Sequence, residues 1–361
     1  MADPPDDALA FRTALATWLA PRVEAAGPVD VDAVRKPPGG MSSETTLATA
    51  RFRDARGEAR ELALAVRAAP REEGPFPEYD LRLQHDAMRA LATHTRAPVP
   101  DVLWLEEDAS VLGTPFLVMR AIDCWAPLDR PSYQAEGLYV RMTPDERRRA
   151  WRAAIEALVP VHAADWRALG IARLPGGRQG EDAATAALAY WRRYVDGWIK
   201  RDPSEREPVL DAALAWLERE RPRDARLALA WGDAKLGNVL FAPDGSTVRA
   251  LVDWEMCGVG APEADLASLH FSDLRAQDEA GGAAREGTPS EAELVALYEA
   301  AGGAPVRHLH YWSVFSAFWR GAVQVKVMKR LRAQGVELPD ALFDQSFPFR
   351  RLRALLGDAL D

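Results

Sequence analysis

The sequence predicts an α+β protein in two lobes. A small sheet-bearing lobe spans residues 1–123, and a larger, mostly helical one spans 124–361. Three observations predict this. Strand-like apolar patterning is concentrated in the first third of the chain, apolar residues at helical spacing dominate the rest, and Pro127 and Pro131 mark a crossing segment between them. With 361 residues and 48% hydrophobic content, the chain is long enough for two separate cores.

The elements follow in order. Phe11, Leu15, Trp18 and Leu19 recur at helical spacing within residues 8–25. Val29 and Val31 alternate with Asp30 and Asp32 in a strand-like portion, which the break Pro37-Pro38-Gly39-Gly40 ends. Thr45 to Phe52 and Glu61 to Arg67 read as strands joined by a hairpin turn at Asp54-Ala55-Arg56-Gly57. Asp80 to Thr95 sets Leu83, Ala87, Met88 and Leu91 on one face and reads as a helix, ended by Pro98 and Pro100. Val102 to Leu105 and Pro115 to Ile122 complete a small sheet of mixed strands. Farther on, residues 144–163, 182–199, 208–219, 262–274, 289–301 and 308–331 read as helices. A short hairpin occupies 238–253, and the tail 339–361 reads as a further helix.

Bulk properties exclude several function classes. A net charge of −9 argues against nucleic acid as a partner, and the arginines are mixed with acidic residues along amphipathic segments. Cys124 and Cys257 read as two thiols of a reducing compartment rather than one disulfide. The acidic start Met1 to Asp7 lacks the apolar core of a signal peptide, and no run approaches the roughly 20 apolar residues of a membrane span. The expectation is a cytoplasmic protein with no membrane partner. Its oligomeric state is not written in the sequence.

The chemistry is concentrated in Trp231-Gly232-Asp233-Ala234-Lys235-Leu236-Gly237-Asn238, followed by Asp253-Trp254-Glu255. Between them Pro243-Asp244-Gly245 is a strong turn signal, with apolar strand-like residues on either side. Folding about that turn sets Asn238 opposite Val252 and Asp253, across a strand spacing of about 5 Å. Asn238 and Asp253 can then share one metal ion, and Glu255 joins them on the same face if the strand continues. Mg²⁺ prefers such hard oxygen ligands and completes its shell with water and phosphate. Asp233 is left to accept the proton of a hydroxyl, so the set matches what a kinase needs. A lone Gly-Asp is usually a turn and a lone Asp-Trp-Glu usually a strand end; the joint spacing is what makes the pattern specific.

On these residues the chain resembles the aminoglycoside phosphotransferase and choline kinase family, over roughly residues 30–335. It lies nearest the broad bacterial branch similar to the kinase domain attached to some acyl-CoA dehydrogenases. The family's usual form is His-Gly-Asp-x-x-x-x-Asn, then a hydrophobic strand ending in Asp-x-Glu; here Trp231 stands where the His is common. The resemblance implies a two-lobed protein-kinase-like fold with ATP, or GTP, and Mg²⁺ as cofactors. It also implies direct in-line transfer of the γ-phosphate to a hydroxyl of a small molecule. It makes Asp233 the catalytic base, and Asn238 and Asp253 the metal ligands. Lys235 would neutralise the transferring phosphoryl group, the alternative being a solvent-facing lysine.

The same resemblance places the nucleotide contacts of the N-terminal lobe. Gly39 to Thr45 falls where the family has its phosphate-covering loop, with Gly40, Ser42 and Ser43 facing phosphate. Arg67 falls where kinases carry a phosphate-binding Lys, and its fork can still hold phosphate. Gln84 falls where the partner Glu is usual; it cannot form that ion pair and is read as a hydrogen-bonding support. Met119 would form the rear of an adenine pocket, with the Arg120 carbonyl and the Ile122 N–H facing the base. The two departures, Arg67 and Gln84, keep a nucleotide-binding pseudokinase without turnover as the second reading. His162 reads as a packed histidine, and Asp265 as a first-turn carboxylate that the resemblance casts as a brace of the catalytic loop. Trp312, Phe315, Phe318 and Trp319 read as core, with part of the stripe lining an acceptor pocket as the alternative. The acceptor itself, among aminoglycosides, choline-like amines, macrolides, sugars and hydroxyacyl thioesters, is not chosen by the sequence.

Overall fold

The computed structural model describes residues 5–37, 44–71, 73–177, 181–200, 202, 205, 207–339, 342 and 345–357. The chain divides into two compact units, Met1–Arg89 with Val99–Asp123, and Ala90–Pro98 with Cys124–Asp361.

The first unit is built on a five-stranded sheet of order β1-β2-β3-β5-β4. The strands are β1 (Asp30–Arg35), β2 (Glu44–Arg53), β3 (Ala59–Ala68), β4 (Val102–Glu106) and β5 (Phe116–Arg120). Every pairing is antiparallel, so the expectation of a mixed sheet is corrected. The physical reason is the connections: β2 and β3 close over the Asp54–Gly57 turn, and no crossover of the kind parallel neighbours need joins adjacent strands. Helix α1 (Pro5–Leu19) belongs to this unit, as does α2 (Leu81–His94) up to Arg89. It buries Leu15, Trp18 and Leu19 against Val31, Ala48, Ala50, Leu64, Val66 and Val118. The Trp18 ring meets Trp104 and Phe116 edge-on, while its indole N–H donates to Glu106 at 2.7 Å. Asp80 caps α2 by accepting from the Leu83 N–H at 2.9 Å.

The second unit is mostly helical. It contains α3 (Leu138–Arg141), α4 (Pro144–His162), α5 (Ala183–Tyr194), α6 (Pro208–Arg219), α7 (Pro262–Glu279), α8 (Glu291–Ala300), α9 (Leu309–Ala333) and α10 (Phe347–Leu356). Helices α4 and α8 each start with a capping box, Thr143 with Glu146 and Ser290 with Glu293, and Pro144 opens α4. Helix α5 ends in a wide π turn over Val195–Ile199, the C-terminal part of the segment expected as one helix. Two short strand pairs lie among the helices. β7 (Val239–Phe241) pairs with β8 (Val248–Leu251), as the hairpin reading expects. β6 (Ala228–Ala230) pairs with β9 (Gly258–Gly260), which three-residue strands leave almost no pattern to reveal. Helix α9 packs against α7, α6 and α10. Trp312, Phe315, Phe318 and Trp319 are all buried on it, and Trp319 stacks on Trp191 with ring centroids 5.5 Å apart. Among the described residues, no helix is long and apolar enough to cross a membrane.

Candidate active site

The loop that carries the Asp233 motif runs from the end of β6 through a 3-10 turn at Leu236–Asn238 into β7. Its first bend needs Gly232. The residue sits at φ 95°, and a Cβ there would lie 2.2 Å from the Met256 carbonyl oxygen. Asp265, in the first turn of α7 and fully buried, holds the bend. Its carboxylate accepts the Trp231 N–H at 2.7 Å and the Gly232 N–H at 2.8 Å. His162 lies 3.0 Å from the same carboxylate through Nε2, and its Nδ1 lies 2.9 Å from the Tyr298 hydroxyl. With 2% of its surface exposed, His162 is a packed support. Trp231 is fully buried, and its indole N–H donates to the Val252 carbonyl at 2.9 Å, tying the loop to the exit of β8.

Asp233 is the most heavily engaged polar group of the loop. Arg320, from the middle of α9, places both terminal nitrogens on Oδ1, at 3.1 and 3.3 Å. The Asn238 amide nitrogen donates to Oδ2 at 3.1 Å and to the Asp233 carbonyl at 3.0 Å. Lys235 Nζ lies 3.4 Å from Oδ2. Burial by itself would raise the Asp233 pKa, but the Lys235 and Arg320 charges, with hydrogen bonds from Lys235 and Asn238, hold it below the usual carboxylate value.

The cations are themselves held in place. Lys235 pairs with Asp129 at 2.9 Å, and Asp129 also meets Arg275 at 3.2 Å. Burial works against the Lys235 ammonium, yet the carboxylates of Asp233, Asp129 and Asp253 outweigh it and raise its pKa above the ordinary lysine value. It is therefore an engaged lysine, 23% exposed in its side chain, rather than a solvent-facing one. Burial lowers the Arg320 pKa to about 10, which still leaves it positive at neutral pH. Its guanidinium accepts support from α7: Nη2 donates to Ser268 Oγ at 2.9 Å and Ser272 Oγ at 2.8 Å. It lies over the Trp319 ring at 4.1 Å and farther from the Phe271 ring, at 5.2 Å. Ser268 in turn donates to the Ala234 carbonyl at 2.9 Å.

The hairpin brings the second half of the motif close, though not as a continuing strand. The Val252 N–H donates to the Asn238 carbonyl at 2.9 Å, so Asn238 does face Val252. Strand β8 ends at Leu251, however, and Asp253 adopts a left-handed conformation, φ 66° and ψ 61°. Trp254–Met256 then form a 3-10 turn, pinned by the fully buried Trp254 and its indole bond to the Leu251 carbonyl at 2.8 Å. The expectation that Asp253 and Glu255 share a strand face is corrected: the turn, not pleating, aims these two carboxylates. Because the Asn238 amide nitrogen is committed to Asp233, its Oδ1 is the end left to act as a metal ligand. That oxygen and the Asp253 carboxylate are of the hard type Mg²⁺ takes. Among the described residues, no three His, Cys, Asp or Glu side chains cluster into a protein-only metal cage.

In the first unit, Arg67 is buried on β3, paired in register with Thr45 and Leu117. Gln84 on α2 is 1% exposed, and neither amide atom has a hydrogen-bond partner among the described residues, so the expected support role is not realised there. Met119 is buried on β5. The Arg120 N–H donates to the Asp101 carbonyl at 2.9 Å, and its exposed side chain pairs with Asp101 at 3.1 Å. Ile122 follows the end of β5. Gly40, Ser42 and Ser43 lie outside the described residues.

The family model described as the phosphotransferase enzyme family matches residues 51–301, well over half of the chain. The chain belongs to that family. Mouse acyl-CoA dehydrogenase family member 10 is 30% identical over 258 residues, 67% of this chain but 22% of the mouse protein. The probable acyl-CoA dehydrogenase IBR3 of Arabidopsis thaliana is 29% identical over 201 residues, 52% of this chain and 22% of its own. The chain thus spans about a fifth of the length of these curated relatives. Among solved structures, a putative aminoglycoside phosphotransferase from Ralstonia eutropha superposes with a TM-score of 0.66 at 22% identity, covering 96% of both chains. A choline/ethanolamine kinase family protein from Mesorhizobium loti gives 0.57 at 17% identity, covering 98% of this chain and 95% of its own. These likenesses establish the protein-kinase-like fold.

Within the family frame, the motif residues Asp233, Lys235 and Asn238 converge, with Asp253 close enough to act on the Lys235 charge. Sequence reasoning missed Arg320, Asp129, Ser268 and Ser272. One signal was available: Arg320 is the one charged residue in the aromatic-rich stretch Trp312 to Val323. Asp129 sits in the proline-marked crossing segment and carried no pattern.

Proposed function

We propose that the protein is an ATP-dependent small-molecule O-phosphotransferase, transferring the γ-phosphate of Mg-ATP to a hydroxyl by direct in-line transfer. The observation that carries this reading is the Asp233 carboxylate, kept ionised by Arg320 and Lys235 at the head of the loop that the family match includes. An ionised carboxylate there accepts the hydroxyl's hydrogen bond and aims its oxygen at phosphorus. As the new O–P bond forms, the bond to the β-phosphate bridging oxygen breaks. ADP leaves with that electron pair, and the hydroxyl proton passes to Asp233.

Lys235 lies 3.4 Å from Asp233 and has a second partner in Asp129, so it can shift toward the transferring phosphoryl without leaving its charge unpaired. Asn238 Oδ1 and Asp253 suit a Mg²⁺ ion, with Glu255 as a further candidate. When bound, the ion neutralises the phosphate oxygens. In the other unit, Arg67 is the candidate phosphate contact, Gly40, Ser42 and Ser43 the phosphate-covering loop, and Met119, Arg120 and Ile122 the adenine contacts. The names of the neighbours suggest which acceptors to try, namely aminoglycosides, choline and ethanolamine. Hydroxyacyl thioesters follow from the acyl-CoA dehydrogenase names.

The test is ADP release from Mg-ATP across such a panel, with the phosphoester identified by ³¹P NMR. An acceptor-dependent signal supports the reading. The second reading, a pseudokinase, is favoured by Gln84, whose buried amide replaces a carboxylate and makes no hydrogen bond among the described residues. Mg-dependent nucleotide binding with no ADP release on any acceptor would select it.

A further inference from the structure

We propose that Arg320 is a positioning residue of the phosphotransfer site: it occupies Oδ1 of Asp233 and so makes Oδ2 the oxygen that receives the acceptor hydroxyl. The inference rests on the phosphotransferase reading for its function, and on geometry for its content. A carboxylate offers about four lone-pair sites. In Asp233 four donors address them: two Arg320 nitrogens on Oδ1, and Asn238 and Lys235 on Oδ2. An acceptor hydroxyl therefore meets the oxygen whose contacts give way most easily.

The donors differ in how firmly they are held. The Arg320 guanidinium is fixed on several sides, by Ser268 and Ser272 at 2.9 and 2.8 Å and by the Trp319 ring at 4.1 Å. A planar fork with that many restraints has little freedom to leave. Asn238 is anchored by its second bond, to the Asp233 carbonyl, at 3.0 Å. Lys235 has the longest contact, 3.4 Å, and the closer alternative, Asp129 at 2.9 Å. Lys235 is the donor that yields, and it does so on Oδ2. Arg320 stays, so Oδ1 never becomes the reactive oxygen. The serines extend the same function. Ser268 joins Arg320 to the Ala234 carbonyl, so α7, α9 and the loop are locked to one carboxylate orientation.

The experiment uses the full chain with Arg320→Met and Arg320→Lys. Two quantities are read: the Asp233 side-chain orientation in crystal structures of the variants, and ADP release from Mg-ATP with water as acceptor beside the Kd for Mg-ADP. In Arg320→Met, Asp233 rotates away from its wild-type position while the Asp265 bonds to the loop remain. The kcat for ADP release falls at least tenfold with an unchanged Kd, and Arg320→Lys recovers part of it. Should the Met variant fail to fold, Arg320→Lys with Ser268→Ala and Ser272→Ala takes its place, and the same rotation and kcat loss are expected. An unmoved Asp233 with wild-type kcat overturns the proposal. Absence of ADP release by the wild type with water and with every panel acceptor sinks the phosphotransfer reading instead, and the orientation of Asp233 in the variant structure still decides the role of Arg320.

Discussion

Two carboxylates of the helical unit, the half-buried Asp233 and the buried Asp273, meet opposite fates. Asp273 on α7 is 2% exposed, and among the described residues its donors are neutral: the Tyr133 hydroxyl at 2.6 Å, Gln134 Nε2 at 2.8 Å and Gln277 Nε2 at 2.5 Å. Burial raises its pKa, and those three hydrogen bonds only partly offset the rise. Asp233 is also shielded, yet its pKa is lowered, because Lys235 and Arg320 supply full positive charges. The difference shows what full charges add: three neutral hydrogen bonds only partly offset the burial of Asp273, whereas the Lys235 and Arg320 charges more than offset that of Asp233. The Asp273 cluster ties the segment after Pro131 to α7 and acts as a structural joint. The Asp233 cluster holds its carboxylate below the usual value, as the proposed phosphotransfer role requires.

Replacing each carboxylate should separate these roles. Asp233→Ala is expected to lower turnover by about 10²–10⁴-fold or more, with Mg-nucleotide affinity largely kept, as read by ADP release and calorimetry. Asp273→Asn should keep turnover within a fewfold of the wild type. Equal losses in the two variants would erase the distinction.

Asp265→Ala probes the support beneath Asp233. It strips two backbone N–H groups and His162 of their partner, at an expected cost of about 3–5 kcal/mol in denaturant unfolding. A loss below 1 kcal/mol would mean the loop holds itself. Asp253→Ala should weaken Mg-ATP binding by about 10–100-fold while leaving metal-free nucleotide binding unchanged; an unchanged Mg-ATP Kd removes Asp253 from the metal role.

The smallest effect is in the pH dependence of stability. The folded-state pKa of Asp273 is raised, so below the ordinary carboxylate value both states hold the proton. As pH climbs from there to the folded pKa, only the folded state keeps it, and stability falls by at most about 1.4 kcal/mol per pH unit. Asp273→Asn should remove that decline. Asp233 has the opposite sign: its contribution is full above the ordinary carboxylate value and is lost as pH falls through its lowered pKa. Denaturant unfolding across the acid range reads both, and a decline that persists in Asp273→Asn would refute the assignment.

How legible this was depended on locality. The Asp233-to-Asn238 interval and the hairpin about Pro243-Asp244-Gly245 are short-range, and the structure keeps the facing of Asn238 and Val252. The end of β8 at Leu251 was not legible, because a single left-handed residue at Asp253 leaves no periodicity to break. The antiparallel order β3-β5-β4 could not be read either, since strand patterning fixes a strand's faces but not its neighbours. Arg320 lies 87 residues from Asp233, and pairing over that distance is a tertiary event. Its isolation among Trp and Phe was the trace it left in the sequence.

The central claim is that the Asp233 carboxylate serves the phosphoryl acceptor. Its most direct test is ADP release with the acceptor panel by the wild type and Asp233→Asn, at matched occupancy by Mg-ATP. The account predicts acceptor-dependent ADP release in the wild type, with its loss in Asp233→Asn and an unchanged Mg-ATP Kd. Wild-type-like release by Asp233→Asn would contradict it.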